Sequence, residues 1–284
     1  MTLRKLLILD LNGTLLLRSK HSRGAANGGP KPRTVYPRPY LQSFRAYILH
    51  TKTRAWLDAM VWSSAQPASV ADMVHHAFGG EQDKFLGIWA RDTLGIPPEL
   101  YHKKTQTTKD LATPWAAFPA HNAQTTLLLD DSERKAHLHP FNHVCVPEYT
   151  ADTRRRDLAL LNASSGPAQL LARVRKVNAK APATEVPKTY DETLLAVVGI
   201  LDTLKATTSV AEWIENGGLL GPVAEAPTPD ALAEQLSDLA LDTPEAQTRR
   251  WFEREDTVRH WADAGRRALA DLEIDVVVGV AANP

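Results

Sequence analysis

The sequence predicts an α/β fold, in which a mostly parallel sheet is covered by helices on both faces and is followed by a mainly helical C-terminal region. Short, nearly continuous apolar runs alternate with segments of helical spacing along the first 150 residues. Such runs are typical of strands that are buried on both faces. After residue 150 the apolar residues recur at helical spacing. We therefore expect one α/β domain over residues 1–150 and a helical extension over residues 151–284.

Five apolar runs are the expected strands of the sheet. They are Leu6–Leu9, Ala59–Trp62, Phe85–Trp89, Thr126–Leu129 and His143–Val146. The expected helices between them are Tyr40–Leu57, Ser69–Phe78 and Lys109–Phe118. In the C-terminal part we expect helices around Leu194–Leu201 and Trp251–Leu269, whereas Val276–Val280 fits either a strand or a packed tail.

The composition excludes several classes of protein. The 284 residues are 43% apolar, and 33 basic side chains balance 33 acidic ones, which argues against a dedicated nucleic-acid coat protein. The single cysteine, Cys145, excludes an intramolecular disulfide framework and a cysteine-based zinc site. No apolar run reaches the roughly 18 residues of a membrane span, and Met1–Leu9 lacks a signal-peptide pattern. We expect an intracellular protein, cytoplasmic or nuclear, that contacts no membrane.

An insertion over residues 18–39 is rich in Gly and Pro and is expected to form a loop. Residues 18–54 contain basic side chains but no acidic one. This stretch is either a solvated surface or an electrostatic guide for an anionic ligand. Residues 206–248 contain acidic side chains but no Lys or Arg, and we expect them to face water.

Polar residues follow three of the predicted strands at the point where each strand ends. The segment Asp10–Thr14 follows the first strand, Ser63 and Ser64 follow the second, and Asp130–Ser132 end the fourth, with Lys109 shortly before it. Open α/β sheets place their chemistry at this edge. A carboxylate can attack phosphorus, a hydroxyl and a lysine can bind phosphoryl oxygens, and adjacent acids suit Mg²⁺. Together these groups are the parts of a metal-assisted phosphoryl-transfer site.

The ordered motifs DLNGT, VWSSA, KDL and LLLDDS resemble those of the haloacid dehalogenase (HAD) superfamily of phosphohydrolases. Arg38-Pro39 and the segment from Trp89 to Asp92 resemble its FCP/SCP branch (the FCP1 homology domain), the phosphatases related to the RNA polymerase II C-terminal-domain phosphatase. The resemblance covers about residues 5–150 and implies a HAD-like Rossmannoid fold of three layers. The intervals between Asp10, Ser63 and Lys109 are too short for a large cap, and an open site suits macromolecular substrates.

The resemblance implies a role for each matching residue. Asp10 corresponds to the nucleophile, and Ser63 to a hydrogen-bond donor for the phosphoryl oxygens. Lys109 corresponds to the cation that stabilises the nucleophile and the phosphoryl group. The implied Mg²⁺ ligands are Asp10, the backbone carbonyl of Asn12, Asp130 and Asp131. Further contacts with the substrate are expected from Thr14, Ser64 and Arg91.

Asn12 stands where the resembled family has its general acid/base aspartate. An amide has no ionisable proton at neutral pH, so it cannot protonate a leaving alkoxide or activate water. General acid/base catalysis contributes about 10²–10⁴-fold. Three interpretations stay open, namely a slow phosphatase or one for good leaving groups, a phosphotransferase-like or phosphate-binding relative, and a non-catalytic module that binds phosphorylated partners.

The expected function is Mg²⁺-dependent hydrolysis of a phosphomonoester through an aspartyl-phosphate on Asp10. A phosphorylated Ser, Thr or Tyr side chain of a protein is the favoured substrate, and another anionic phosphomonoester is the alternative. A catalytically degenerate phosphoprotein-binding scaffold and a nucleic-acid end phosphatase are the competing hypotheses. The last of these predicts binding that weakens steeply with salt.

Overall fold

A five-stranded parallel sheet forms the centre of the computed structural model, which describes residues 3–19, 33–103, 105–164, 189–221 and 251–280. Its strands are β1 (Lys5–Leu9), β4 (Leu57–Trp62), β5 (Ile88–Trp89), β6 (Thr126–Asp130) and β7 (His143–Cys145), in the order β5-β4-β1-β6-β7. A separate antiparallel hairpin pairs β2 (Leu16–Arg18) with β3 (Val35–Pro37). The predicted α/β class is confirmed, and each of the five apolar runs contributes a strand.

Helices follow the strands and cover both faces of the sheet. Their bounds are α1 (Leu41–Leu49), α2 (Thr51–Arg54), α3 (Pro67–Phe78), α4 (Ala112–Ala117), α5 (Glu133–Ala136), α6 (Ala151–Ser164), α7 (Thr193–Leu204), α8 (Val210–Glu215) and α9 (Glu255–Ala270). Within the described ranges, no helix combines the length and the apolar character that crossing a membrane requires.

The central strand β1 is buried on both faces. Leu7 and Leu9 belong to a large apolar cluster with residues of α1 and α3. Leu6 and Ile8 belong to a smaller cluster on the opposite face with Leu111. Because successive side chains of a strand point to opposite faces, this alternation produces the predicted three layers.

The helices of the C-terminal part complete the larger of these two clusters. Buried side chains of α7 and α9 join the same apolar cluster as Leu7 and Leu9 of β1. The indole Nε1 of Trp251 donates to the carbonyl oxygen of Cys145 at 2.9 Å, and the backbone amide of Val210 donates to Gln124 at 2.8 Å. The described C-terminal helices therefore share one apolar core with the sheet.

Two sequence-based expectations need correction, and a third is largely untested. The single helix predicted over Tyr40–Leu57 is wrong, because His50 adopts an extended conformation between α1 and α2, and Leu57 begins β4. The insertion over residues 18–39 is not all loop, because Arg18 and Val35–Pro37 form the hairpin, while residues 20–32 lie outside the described part. Most of the acidic stretch over residues 206–248 also lies outside it.

The apolar run Val276–Val280 forms neither a strand nor a helix, so of the two predicted forms the packed tail is observed. The backbone amide of Tyr40 donates to the carbonyl oxygen of Val278 at 2.8 Å. Ser43 Oγ donates to the carbonyl oxygen of Asp275 at 2.7 Å and accepts from the amide of Val277 at 2.8 Å. These bonds fasten the tail along α1.

Gly199 and Gly265 allow α7 and α9 to touch along their backbones. A Cβ atom at Gly199 would lie 2.2 Å from the carbonyl oxygen of Trp261 and one at Gly265 would lie 1.9 Å from that of Leu195, so either would force the helices apart. We expect Gly199→Ala to lower the free energy of unfolding by about 1–3 kcal/mol in urea denaturation. The control is Gly80→Ala, where a Cβ atom meets no atom within 4 Å. An equal effect of both substitutions would contradict this account.

Candidate active site

The carboxyl ends of β1 and β6 place three acidic residues side by side. Leu9 pairs with Leu129, so Asp10 and Asp130 follow at the same level of the sheet. The backbone amide of Asp10 donates to the carbonyl oxygen of Leu129 at 3.0 Å. Asp131 comes next in the chain, and the predicted convergence of Asp10 with the acidic pair is therefore observed.

Asp10, Asp130 and Asp131 form what we call the acidic cluster. Each of them offers one carboxylate oxygen, and these three oxygens lie within 4.8 Å of one another. Hard divalent cations such as Mg²⁺ prefer oxygen ligands, and carboxylates supply both the oxygens and the charge. The donor set of the acidic cluster therefore fits Mg²⁺.

Lys109 lies completely buried between two members of the acidic cluster. Its Nζ is 3.0 Å from Asp10 Oδ1 and 2.5 Å from Asp130 Oδ2. Burying an ammonium group is costly unless charged partners compensate for the lost water. The buried position of Lys109 therefore depends on the two carboxylates, and it holds Asp10 and Asp130 in a fixed relation.

Lys135 is a second lysine at the acidic cluster, and the sequence reasoning missed it. Its Nζ lies 3.0 Å from Asp130 Oδ1, 3.4 Å from Asp10 Oδ2 and 3.8 Å from Asp131 Oδ1. Burial opposes its charge, but the three carboxylates outweigh that effect and raise the pKa of Lys135 above its ordinary value. The i,i+4 spacing from Asp131 to Lys135 on a helical turn was the available signal.

The neighbouring carboxyl groups of Asp130 and Asp131, at the end of β6 and just after it, have opposite shifts in pKa. Burial alone would raise the pKa of Asp130, but the charges of Lys109 and Lys135 outweigh it and hold the pKa well below its usual range. Burial, together with the negative charge of Asp10, raises the pKa of Asp131 to about 7. Of these two carboxyl groups, Asp130 therefore holds its negative charge more firmly than Asp131.

Gly13 and Thr14 position Asp131. Gly13 has a φ of 93°, and a Cβ atom there would lie 2.6 Å from Asp131 Oδ2, so this turn has no room for a side chain. Thr14 Oγ1 donates to Asp131 Oδ1 at 3.2 Å and accepts from the Asp131 amide at 3.1 Å. The hydroxyl of Thr14 thus supports a candidate metal ligand, and its contact with substrate stays a prediction.

Asn12 has an exposed side chain in the turn after Asp10. Its Oδ1 accepts a hydrogen bond of 2.8 Å from the backbone amide of Arg18, at the end of β2. This bond ties the turn to the hairpin. The role of its backbone carbonyl as a metal ligand stays a prediction.

The remaining predicted substrate residues follow β4 and β5. Ser63 is buried at the end of β4, where its Oγ accepts from the amide of Ala65 at 3.4 Å. The guanidinium of Arg91 donates to the carbonyl oxygens of Tyr101 at 2.6 Å, Lys103 at 2.8 Å and Ser64 at 3.4 Å. Arg91 therefore fastens the loop around Tyr101, and substrate contacts of Ser63, Ser64 and Arg91 stay predictions.

A family model described as NLI interacting factor-like phosphatase matches residues 5–178. The chain belongs to this family. The match covers more than half of the chain and includes every residue of the acidic cluster and both lysines beside it. The predicted membership in the FCP branch of the HAD superfamily is thereby confirmed.

The chain is also similar to a curated protein of Schizosaccharomyces pombe, an uncharacterized FCP1 homology domain-containing protein. The two sequences are 35% identical over 159 residues, which are 52% of this chain and 62% of the relative. The matched stretch thus spans less than two thirds of the relative's length.

Two solved structures are similar in part. Fcp1, an essential RNA polymerase II CTD phosphatase, matches with a TM-score of 0.49 and 12% identity over 86% of this chain and 80% of that chain. A variant of fission yeast Fcp1 bound to beryllium fluoride matches with a TM-score of 0.37 and 15% identity over 97% of this chain and 69% of that chain.

Arg38 links the C-terminal part of this family member to the turn beside the acidic cluster. Its Nη1 donates to the carbonyl oxygen of Thr14, its Nη2 to Thr193 Oγ1 and its Nε to Asp191 Oδ2, each at 2.9 Å. Burial would raise the pKa of Asp191, but the charge of Arg38 outweighs it and lowers the pKa. Arg38, which the sequence marks only as an Arg-Pro pair, thus joins the start of α7 to Thr14.

Proposed function

We propose that this chain hydrolyses phosphomonoesters with Mg²⁺ through an aspartyl-phosphate on Asp10. The position of Asp10 supports this most directly. Its carboxylate is buried, one oxygen lies 3.0 Å from the Lys109 ammonium, and it shares the acidic cluster with Asp130 and Asp131. A carboxylate held in one orientation beside a fixed cation is suited to attack phosphorus.

In the first step, an oxygen of the Asp10 carboxylate forms a bond to phosphorus, and the bond from phosphorus to the leaving oxygen breaks. The leaving oxygen keeps the electron pair and takes a proton from solvent, because Asn12 has none to give. In the second step, a water oxygen forms a bond to phosphorus and the bond to Asp10 breaks. Inorganic phosphate leaves, the proton of the water passes to solvent, and the carboxylate is restored.

The chain's own residues prepare this site for both steps. Lys109 holds Asp10 and Asp130, Thr14 holds Asp131, and the hydroxyl of Ser63 is assigned to a phosphoryl oxygen. Asp10, Asp130, Asp131 and the backbone carbonyl of Asn12 would hold the metal ion. When it is bound, Mg²⁺ supplies positive charge that stabilises the phosphoryl oxygens.

We assign a phosphorylated protein side chain as the substrate. Between Asp10 and Ser63 the described residues form a hairpin, two short helices and a strand, and residues 20–32 are too few for a large cap. Asp131 remains partly exposed, so the acidic cluster is open on one side. A site that the described residues leave open on one side accepts a side chain that projects from a large partner.

Asn12 favours a second candidate, a module that binds phosphoproteins without turning them over. Its exposed amide stands in the turn beside Asp10 and provides no titratable proton. The two candidates share the acidic cluster and both lysines. They differ in whether a phosphopeptide is released as alcohol and phosphate or merely retained.

Metal removal tests the proposed function. We expect the wild type to hydrolyse p-nitrophenyl phosphate with Mg²⁺, to lose this activity in excess EDTA, and to regain it when Mg²⁺ is restored. Mass spectrometry of acid-quenched protein is expected to locate the phosphoryl group on Asp10. Activity that persists in EDTA would contradict the metal requirement, and binding of a phosphoserine peptide without release of phosphate would favour the binding module.

A further inference from the structure

Lys135 reaches the same three carboxylates that form the acidic cluster. Its Nζ lies 3.0, 3.4 and 3.8 Å from oxygens of Asp130, Asp10 and Asp131. The ligand oxygens of these residues lie within 4.8 Å of one another. A cation bound by all three carboxylates would occupy the space that the Lys135 ammonium fills. Such a cation would therefore compete with the Lys135 ammonium.

The two lysines of the site differ in their freedom to move. Lys109 is fully buried and contacts Asp10 and Asp130, whereas the side chain of Lys135 is 15% exposed. Two backbone hydrogen bonds hold the main chain of Lys135 in place. Its amide donates to the carbonyl oxygen of Ser132 at 3.1 Å, and its carbonyl oxygen accepts from the backbone amide of Lys109 at 2.8 Å. Its ammonium sits on a flexible four-carbon stem that can swing while the backbone stays in place.

The net charge of the site indicates what a movement of the Lys135 ammonium would achieve. Three carboxylates and two lysines leave one negative charge when all are ionised, which disfavours a phosphoryl dianion. A divalent cation in place of the Lys135 ammonium makes the site positive, provided that Lys135 stays nearby at the rim. Without Lys135, the same metal-bound site would be neutral.

We propose that Lys135 is an internal counter-ion of the metal site. It offsets part of the negative charge of the acidic cluster in the metal-free protein, yields its place to the divalent cation, and then turns its ammonium to the phosphoryl group. The inference rests on the proposed function, because it requires the acidic cluster to bind a divalent cation.

Removing the charge of Lys135 should therefore have opposite effects on two ligands. Lys135→Met should bind Mn²⁺ or Mg²⁺ about tenfold more tightly, because a competing charge within 4 Å is absent. The same variant should bind inorganic phosphate about tenfold more weakly at saturating metal, because one positive charge is lost. The metal-free variant should melt at a lower temperature, and added Mg²⁺ should raise its Tm more than that of the wild type.

The experiment is isothermal titration of the full chain, first with Mn²⁺ alone and then with inorganic phosphate at saturating Mn²⁺. Lys135→Arg is the matched control, since it keeps the charge, and it is expected to change both affinities less than Lys135→Met does. If Lys135→Met does not fold, Lys135→Gln removes the charge with a polar side chain. Tighter Mn²⁺ and weaker phosphate binding in either neutral variant would support the counter-ion role.

The outcomes separate this inference from the proposed function. Equal Mn²⁺ affinity of the wild type and a folded neutral variant would overturn the counter-ion role and leave the metal requirement standing. Absence of Mn²⁺ binding to the wild type and to every variant would overturn both. Unchanged phosphate affinity in the neutral variant would overturn the transfer of the ammonium to the phosphoryl group.

Discussion

Asp10→Asn is expected to abolish the hydrolysis of p-nitrophenyl phosphate, with a loss of turnover on the order of 10⁴-fold or more. The amide keeps the shape of the side chain and an oxygen that can accept from Lys109, which lies 3.0 Å from Asp10 Oδ1. It removes the negative charge that attacks phosphorus. The measurement is the steady-state rate at saturating Mg²⁺, together with the loss of the covalent phosphoryl group.

The matched control is Asp83→Asn, which makes the same chemical change at an exposed residue of a short 3₁₀ turn. We expect this control to keep the wild-type rate. Circular dichroism of both variants shows whether they are folded. A folded Asp10→Asn variant with more than a tenth of the wild-type rate would refute Asp10 as the nucleophile.

Asn12→Asp is expected to raise turnover by about 10²–10⁴-fold, the usual contribution of general acid/base catalysis. The side chain of Asn12 is exposed, and its oxygen accepts from the amide of Arg18 at 2.8 Å. An aspartate can keep this hydrogen bond with one oxygen and use the other to exchange a proton with the leaving group or with water. The substitution therefore adds a titratable group to a turn that is already in place.

A comparison of two leaving groups tests whether Asn12→Asp acts as a general acid. p-Nitrophenolate leaves without a proton, whereas the serine alkoxide of a phosphopeptide needs one, so the gain should be larger for the phosphopeptide. Asn12→Ala is the control, since it removes the bond to Arg18 and adds no acid, and it should give no gain. If Asn12→Asp shows no gain with either substrate, the absent proton does not limit the wild type.

The sheet and its active edge were predictable because hydrophobic burial leaves a direct mark on the sequence. Strands buried on both faces read as continuous apolar runs, so β1 and β6 could be located within one residue. The parallel arrangement then required Asp10 and Asp130 to meet at one edge. Lys109 was predicted by its motif, and the structure places it against both carboxylates.

The features that sequence reasoning missed depend on side-chain direction and on local backbone geometry. Lys135 follows the acidic pair on a four-residue helix, where polarity alone suggests an exposed surface. The helix α1 ends before His50, but the apolar residues up to Leu49 keep their helical spacing. The sequence pattern therefore gives no sign of where the helix ends. Arg91 carries the expected charge, but the carbonyl oxygens of Tyr101 and Lys103, 10 and 12 residues further along the chain, accept its hydrogen bonds.

The apolar core that β1 shares with the C-terminal helices affects how the chain folds during its synthesis. The Nζ of Lys5, in the central strand, donates a hydrogen bond to the carbonyl oxygen of Thr207 at 2.8 Å. The backbone amide of Tyr40 donates one to the carbonyl oxygen of Val278. Contacts between such distant positions impose a large loop-closure entropy and are associated with slow folding. On the ribosome, the face of β1 that carries Leu7 and Leu9 is therefore expected to stay incompletely covered until α9 has emerged. Chaperones that shield nascent chains are expected to act during that interval.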